Sequence, residues 1–278
     1  MSPSFPQELW DCIIDEMHSD AAALGACSLV CSMWQSRSQR HLFDSVVLFN
    51  TASVDAFKEI IERSSAIATY VHHLRISDSK RSAFRWAERR PSHLREILLK
   101  LINVQSLNLD HLNLEAIFHS GIAPDTLPIL KSLHIQGLVC AEPATLASIL
   151  LLMPRVEELL LTRLQFGSLE RLWHPDIPAA ERNFSRLRTL HLNFVTVDPP
   201  QTIGCSTLGR QLGLLFTRLD CVATVIYSSN DVAVLGGLVT FLGSSLRHLG
   251  LRSLWTTDRN RSSLPGEHEM RLYFAVDN

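Results

Sequence analysis

Twelve histidines and six cysteines are the side chains in this sequence best suited to metal or nucleophilic chemistry. The cysteines, at positions 12, 27, 31, 140, 205 and 221, form no CxxC pair. They read as small buried hydrophobes in a reducing compartment. His134 and His191 occupy the same place in a repeated pattern, but two copies apart, with Leu160 in that place between them. On a parallel sheet this separates their backbones by ~10 Å, whereas zinc needs ligand atoms ~2.0–2.3 Å from the ion. They read as solvated side chains of a binding face. His72 and His73 are neighbours on one strand, so their side chains are expected on opposite faces. GxSxG, HExxH, a P-loop and a strand-borne GxGxxG are all missing. Gly236-Gly237 sits in an apolar helix-like run and reads as a close-packing pair. Aspartates and glutamates are dispersed. The expectation is a non-catalytic protein with no metal and no cofactor.

The pattern that positions these residues is VQSLNLDHLNL at 104–114, which the chain writes repeatedly. Its frame, apolar-x-x-Leu-x-Leu-x-x-Leu, returns at 130–138 (LKSLHIQGL), 156–164 (VEELLLTRL), 187–195 (LRTLHLNFV) and 246–254 (LRHLGLRSL). The first half alone appears at 71–76 (VHHLRI), with fainter copies at 43–48 (FDSVVL) and 219–224 (LDCVAT). The anchor positions 46, 74, 107, 133, 159, 190, 222 and 249 are 26 to 33 residues apart. A period near 20–30 residues with this spacing signals a leucine-rich solenoid. Leucine makes up about one residue in six, which suits many similar apolar layers better than one bulky core. Helices are expected between strands at 54–63, 93–103, 144–153, 168–173, 207–216 and 232–242. Loop insertions at 174–183 and around Pro199-Pro200 account for the longer steps. The fold class is α/β, with a parallel concave sheet of about eight strands.

Alternation along each strand sends the frame leucines inward and the residues between them to the other face. Stacked ~4.8 Å apart, those residues form columns. The central column reads Val47, Arg75, Asn108, His134, Leu160, His191, Ala223 and Gly250. Its neighbour reads Phe49, Ser77, Asp110, Gln136, Thr162, Asn193, Val225 and Arg252. Seven intervals make a face of roughly 34 Å, large enough for a protein partner. The candidate target-binding residues are Arg75, Asn108, Asp110, His134, Gln136, His191, Asn193 and Arg252. Where leucine-rich repeats usually place an Asn or Cys to bond the loop backbone, this chain has Leu112, Leu138, Leu164, Val195 and Leu254. Irregular turns are therefore expected.

Residues 5–17, FPQELWDCIIDEM, put Leu9, Ile13 and Met17 on one stripe of a helix, with Trp10 and Ile14 beside it. Pro6 suits a first helical turn. Asp20 is a plausible N-cap for a second helix over 21–30, with Leu24, Cys27 and Val30–Cys31 inward. A third helix holds Trp34 and Leu42. This segment resembles an F-box: Phe5-Pro6-x-Glu8-Leu9-Trp10-x-x-Ile13-Ile14, then Leu24-x-x-Cys27-Ser28-Leu29-Val30-Cys31-x-x-Trp34. Pro6, Glu8, Leu9, Ile13, Val30, Cys31 and Trp34 match that family's positions, while Phe5 stands where Leu is usual. The resemblance implies a three-helix F-box at 1–42 and an irregular leucine-rich-repeat solenoid at 43–278. It further implies that Phe5, Pro6, Glu8, Leu9, Ile13, Val30, Cys31 and Trp34 bind the adaptor subunit of a cullin–RING ubiquitin ligase. The solenoid would then bind an unidentified target protein, with no chemistry of its own. The other reading is a leucine-rich scaffold whose helical N-terminus only caps the solenoid.

A net charge of −2 gives no reason to expect nucleic acid. The basic run at 80–90 (KRSAFRWAERR) reads as a solvated helix face. Apolar runs fall short of the ~20 residues that span a bilayer, and the N-terminus lacks the features of a secretory signal. The expectation is a soluble intracellular protein. No linker separates the two parts, so a rigid join is expected. MRLYFAV at 270–276 could be one more strand that seals the end of the array.

Overall fold

The computed structural model describes residues 6–78, 91–112, 127–137, 139–140, 150, 153–166, 186–197, 209, 212, 216, 219–226, 229–242, 245–253 and 270–275. Expectations that fall on 79–90, 141–149, 167–185 and 198–208 lie outside these residues.

The chain opens with three helices, α1 (Gln7–Glu16), α2 (Ala21–Cys27) and α3 (Ser32–Asp44). Pro6 is the N-cap of α1, one position earlier than a first-turn proline. Asp20 caps α2 by accepting from the backbone N–H groups of Ala22 and Ala23, at 3.0 and 2.9 Å. The packed side of α1 is Trp10, Ile14 and Met17, of which Ile14 is fully buried. Leu9 and Ile13 face outward. Trp10 meets Trp34 of α3 with ring centroids 4.6 Å apart and planes tilted by 48°. Leu24 and Cys27 of α2 are buried as expected, but α2 ends at Cys27, and Val30 and Cys31 turn to solvent. Cys31 is the N-cap of α3. Cys12 is exposed too, so these two are not buried hydrophobes.

Asp15 ties α1 to α3. It accepts from Arg37 through Nε at 2.6 Å and through Nη2, and lies 2.7 Å from His41 Nε2. The Arg37 guanidinium first, and His41 second, hold its carboxyl well below the usual carboxylate range. Helix α3 runs to Asp44, two residues beyond the expected boundary, and passes directly into β1 (Ser45–Leu48). Helices α4 (Thr51–Arg63) and α5 (Ser65–Tyr70) follow, then β2 (His73–Ser77). The separate α5 was not legible as a helix of its own. The α4 start is held by a capping box in which the Asn50 side chain accepts from Ser53 N at 2.7 Å, and Ser53 Oγ accepts from Asn50 N at 3.1 Å. Val54, Phe57 and Ile61 are its buried face.

Next come α6 (Pro91–Lys100), β3 (Ser106–Asp110), β4 (Ser132–Gln136), the two-residue β5 (Val139–Cys140), β6 (Glu158–Phe166), β7 (Thr189–Val197) and β8 (Cys221–Ile226). Helix α7 (Ser229–Leu242), β9 (His248–Ser253) and β10 (Met270–Ala275) complete the order. Each main strand lies beside its predecessor, β1-β2-β3-β4-β6-β7-β8-β9-β10, with β5 paired to β6. Eight of these strands run parallel, and β10 joins β9 antiparallel. A sheet that grows one parallel strand at a time needs a crossover on one face for every step. The fold is α/β, consistent with an α/β solenoid.

The frame residues build the core. Leu107, Leu133, Leu159 and Leu190 are fully buried and lie in register across four successive strands. The apolar residues that open the frame, Val71, Val104, Leu130, Val156, Leu187, Leu219 and Leu246, are buried beside them. Burying one leucine contributes about 1.5–3 kcal/mol, so repetition supplies the stability. Before β3, β4, β6, β7, β8 and β9, two consecutive N–H groups share one carbonyl of the preceding copy. Gln105 and Ser106 donate to His72 O, Lys131 and Ser132 to Gln105 O, and Glu157 and Glu158 to Lys131 O. The pattern continues through Arg188, Asp220 and Arg247.

At the ends of β3 and β4 and inside β6, three successive copies share one backbone form. His111, Gly137 and Arg163 hold the same frame position and share a left-handed backbone, with φ of 55°, 68° and 55°. Asp78 N donates to Asp110 O, His111 N to Gln136 O and Gly137 N to Thr162 O, at 2.7–2.9 Å. Backbone groups of the next copy thus do the work an asparagine ladder would do. No helix among the described residues is long and apolar enough to cross a membrane.

Candidate functional site

Two surfaces could meet a partner: the outward face of the first three helices, and the face of the sheet turned away from the core. On the helices, Leu9 and Ile13 are 46% and 43% exposed, and Leu29, Val30 and Met33 are more exposed still. Pro6, Glu8 and Cys31 are exposed as well. Trp34 is half-buried against Trp10 and belongs to the interior as much as to the surface. Phe5 lies outside the described residues. Leaving this much aliphatic surface in water is costly, and the three helices have no further element among the described residues that covers it.

On the sheet, the register reproduces the central column residue by residue. Val47 pairs with Arg75, Arg75 with Asn108, Asn108 with His134, His134 with Leu160, Leu160 with His191, His191 with Ala223 and Ala223 with Gly250. The second column is reproduced from Ser77 through Asp110, Gln136, Thr162, Asn193 and Val225 to Arg252. Phe49 follows the end of β1 and has no strand partner in this register.

Within these columns the side chains differ in availability. Asp110 was expected on the open surface, yet it is only 2% exposed. Arg75 covers it, placing Nε and Nη2 at 2.7 and 2.5 Å from the same oxygen, Oδ2, while half of the Arg75 side chain stays exposed. The other oxygen, Asp110 Oδ1, and the side-chain oxygen of Asn108 are buried without a hydrogen-bond partner. His134 is half-buried, with Nε2 3.2 Å from Thr162 Oγ1. Burial pushes its pKa down, the Asp110 carboxylate pushes it up and the Arg75 guanidinium pushes it down again, with burial the largest cause. It is therefore a neutral imidazole at neutral pH and not a freely solvated one. His191 Nε2 lies 3.6 Å from Glu158 Oε1.

The geometry gathers Arg75, Asn108, Asp110, His134 and Gln136 on three adjacent strands. His191 and Asn193 are two strands further on. Arg252 is six strand intervals from Arg75, about 29 Å, so these two arginines serve no common small site. Expected on opposite faces, His72 and His73 instead approach one carboxylate: His72 Nδ1 is 2.7 Å and His73 Nε2 3.9 Å from Asp44. The strand begins only at His73, so alternation does not govern His72. Among the described residues, no group of three or more His, Cys, Asp or Glu stands close enough to hold a metal ion. Nor does a hydrogen bond between described residues join Asp110 to His134, so no carboxylate–imidazole relay leads to Thr162.

Sequence reading overlooked the Asp15–Arg37–His41 cluster, whose members are 22 and 26 residues apart and carry no local signal. It also passed over Val47 and Phe49 as binding residues, although both stood in the columns. Both are exposed. No protein-family model matches the chain, and no curated protein matches it in sequence.

Proposed function

We propose that the chain is a non-catalytic substrate receptor of a cullin–RING ubiquitin ligase. Residues 1–42 would act as an F-box that holds the adaptor subunit, and residues 43–278 as a leucine-rich-repeat solenoid that binds a target protein on its concave sheet. Ubiquitin transfer would follow from proximity, with all bond-making left to other subunits. One observation carries this reading. At the positions that match the F-box pattern, Leu9, Ile13 and Val30 point to solvent, whereas the helices are held together by other residues, Ile14, Leu24, Cys27 and the Trp10–Trp34 contact. An apolar face not used for folding is what a helix-in-groove partner grips.

The join to the sheet supports it too. His72 N donates to Asp44 O at 3.0 Å, and Arg40 lies over the Tyr70 ring at 5.7 Å. These contacts fix the helices against the start of the solenoid, so an adaptor at one end and a target at the other would keep a set distance. The same contacts favour the second reading, in which the helices only cap a scaffold.

Adaptor binding separates the two. Purified wild-type chain is expected to retain the adaptor at micromolar concentration. Leu9→Asp combined with Pro6→Ala is expected to lose that binding and keep the wild-type circular dichroism. A wild-type chain that does not retain the adaptor leaves only the scaffold.

A further inference from the structure

Among the described residues, the exposed large hydrophobics on the open face of the sheet lie at one end. Val47 on β1 is 49% exposed and Phe49 just after it 57%, while no residue of β2–β4 or β6–β9 is an exposed large hydrophobic among those described. Val47 lies in register beside Arg75, so an aliphatic, an aromatic and a guanidinium share one corner. Aromatic side chains and arginine are the residues enriched at protein interfaces.

The backbone at Phe49 and the guanidinium of Arg75 are fixed before any partner arrives. Phe49 N donates to Ser53 Oγ at 3.0 Å, and the Asn50–Ser53 capping box pins the residues that follow. Arg75 is held by a hydrogen bond from Nε and a close ion-pair contact from Nη2, both to Asp110 Oδ2, which leaves its Nη1 for a ligand. Fixed groups lose little freedom on binding.

Charge selects the partner. On the open face of β1–β4 the strand residues are Ser45, Val47, His73, Arg75, Ser77, Ser106, Asn108, Asp110, Ser132, His134 and Gln136. Asp110 is their only carboxylate, and it lies buried beneath Arg75. Asp44, nearby on α3, is engaged by His72 and His73. The first exposed carboxylate of the strands is Glu158, on β6. An approaching chain therefore meets the guanidinium and not its counter-ion.

We infer that the target is captured at this end, by an extended segment in which an apolar side chain stands next to an aspartate or glutamate. The apolar group seats on Val47 and Phe49, and the carboxylate takes Arg75 with a charge-assisted hydrogen bond. Asp110 is a positioning residue that aims the guanidinium. This deepens the reading of the sheet as the target-binding face and rests on it.

The test selects short random peptides displayed on phage against the immobilised full chain, then measures the best peptide by fluorescence titration. Enriched peptides are expected to pair an apolar residue with Asp or Glu. Phe49→Ser is expected to weaken the best of them by about tenfold, a change of about 1.4 kcal/mol. Arg75→Gln should weaken it at least as much. Because that variant strands a buried carboxylate, Arg75→Gln with Asp110→Asn restores the charge balance and must still bind poorly. Glu157→Ala and Arg247→Ala, at exposed residues outside the two columns, should shift affinity by less than about twofold, within the near-neutral range of most interface positions. Enrichment of basic or acid-free peptides overturns the inference, as does no enrichment, or affinity indifferent to Phe49 and Arg75. Adaptor retention is measured on the same preparations. A wild-type chain that retains adaptor but enriches no such peptide sinks this inference alone, and a wild-type chain that enriches the peptide without retaining adaptor sinks the ligase reading.

Discussion

Leucine and isoleucine do opposite work in the two parts of this molecule. In the sheet, Leu107, Leu133 and Leu159 are inaccessible, because each lies beside its counterpart on the neighbouring strand in one apolar cluster that also holds Leu94, Ile97 and Leu150. In the first three helices and the turn after α2, Leu9 and Ile13 are 46% and 43% exposed and Leu29 is 86% exposed. Both parts show an apolar residue at the spacing their secondary structure demands. The difference is what packs behind it. A repeated unit always has a copy of itself to cover its face, whereas three short helices can bury one side of each and leave the rest.

This contrast can be broken by truncation. Leu107→Ala is expected to cost about 2–5 kcal/mol, since it empties a site that strands on both sides define. Leu9→Ala is expected to cost no more than about 0.5 kcal/mol, as surface changes do. Urea denaturation followed by circular dichroism reads both. Equal losses would mean that Leu9 is part of the core and that the outward face of α1 is not spare.

The sheet was legible because its register is doubly specified. Two inward leucines per strand fix which face is buried, and a one-residue slip would expose both. Hence every pair from Arg75–Asn108 to Ala223–Gly250 could be read in advance. The helices were less legible, because α1 carries two adjacent stripes, Trp10–Ile14–Met17 and Leu9–Ile13. Periodicity does not choose between them; the Trp10–Trp34 contact and the Asp15–Arg37 pair do. The burial of Asp110 was hidden for a similar reason. It depends on Arg75, 35 residues earlier, folding over it from the next strand. The left-handed positions were hidden because two of the three are held by His111 and Arg163, not glycine.

Those positions sharpen the comparison, since they make the sheet's regularity depend on single residues. A Cβ on Gly137 would stand 1.8 Å from His111 Nδ1, and its φ of +68° is strained for any other L-residue. Gly137→Ala is expected to cost about 1–3 kcal/mol, with part of the loss recovered when His111→Ala removes the obstructing ring. Arg163→Gly, at the equivalent left-handed position inside β6, should go the other way and stabilise by up to about 1 kcal/mol. Thermal denaturation of the three variants measures both signs. Asn50→Ala removes one half of the α4 capping box and is expected to cost about 1 kcal/mol by the same assay.

The smallest effect is one of kind, because the helices are tied by charge and the sheet by leucine. Hydrogen bonding from Arg37, with His41 second, holds the Asp15 carboxyl below its ordinary value of 3.8. The unfolded chain therefore takes up the proton at a higher pH than the folded one. The tie contributes fully above the ordinary carboxylate range, and its contribution is lost as pH falls through that range toward the lowered folded value. Asp15 is 38% exposed and Arg37 31%, so solvent screening keeps the contribution small. Asp15→Asn should then lower the urea midpoint at neutral pH, with the gap to wild type narrowing steadily once the pH drops below about 4. Leu107→Ala supplies the control, because nothing at its site titrates and its deficit should persist as the pH falls. If the Asp15→Asn gap persists in the same way, the α1–α3 tie is packing and not charge, and the two halves of the molecule are built more alike than their exposed leucines suggest.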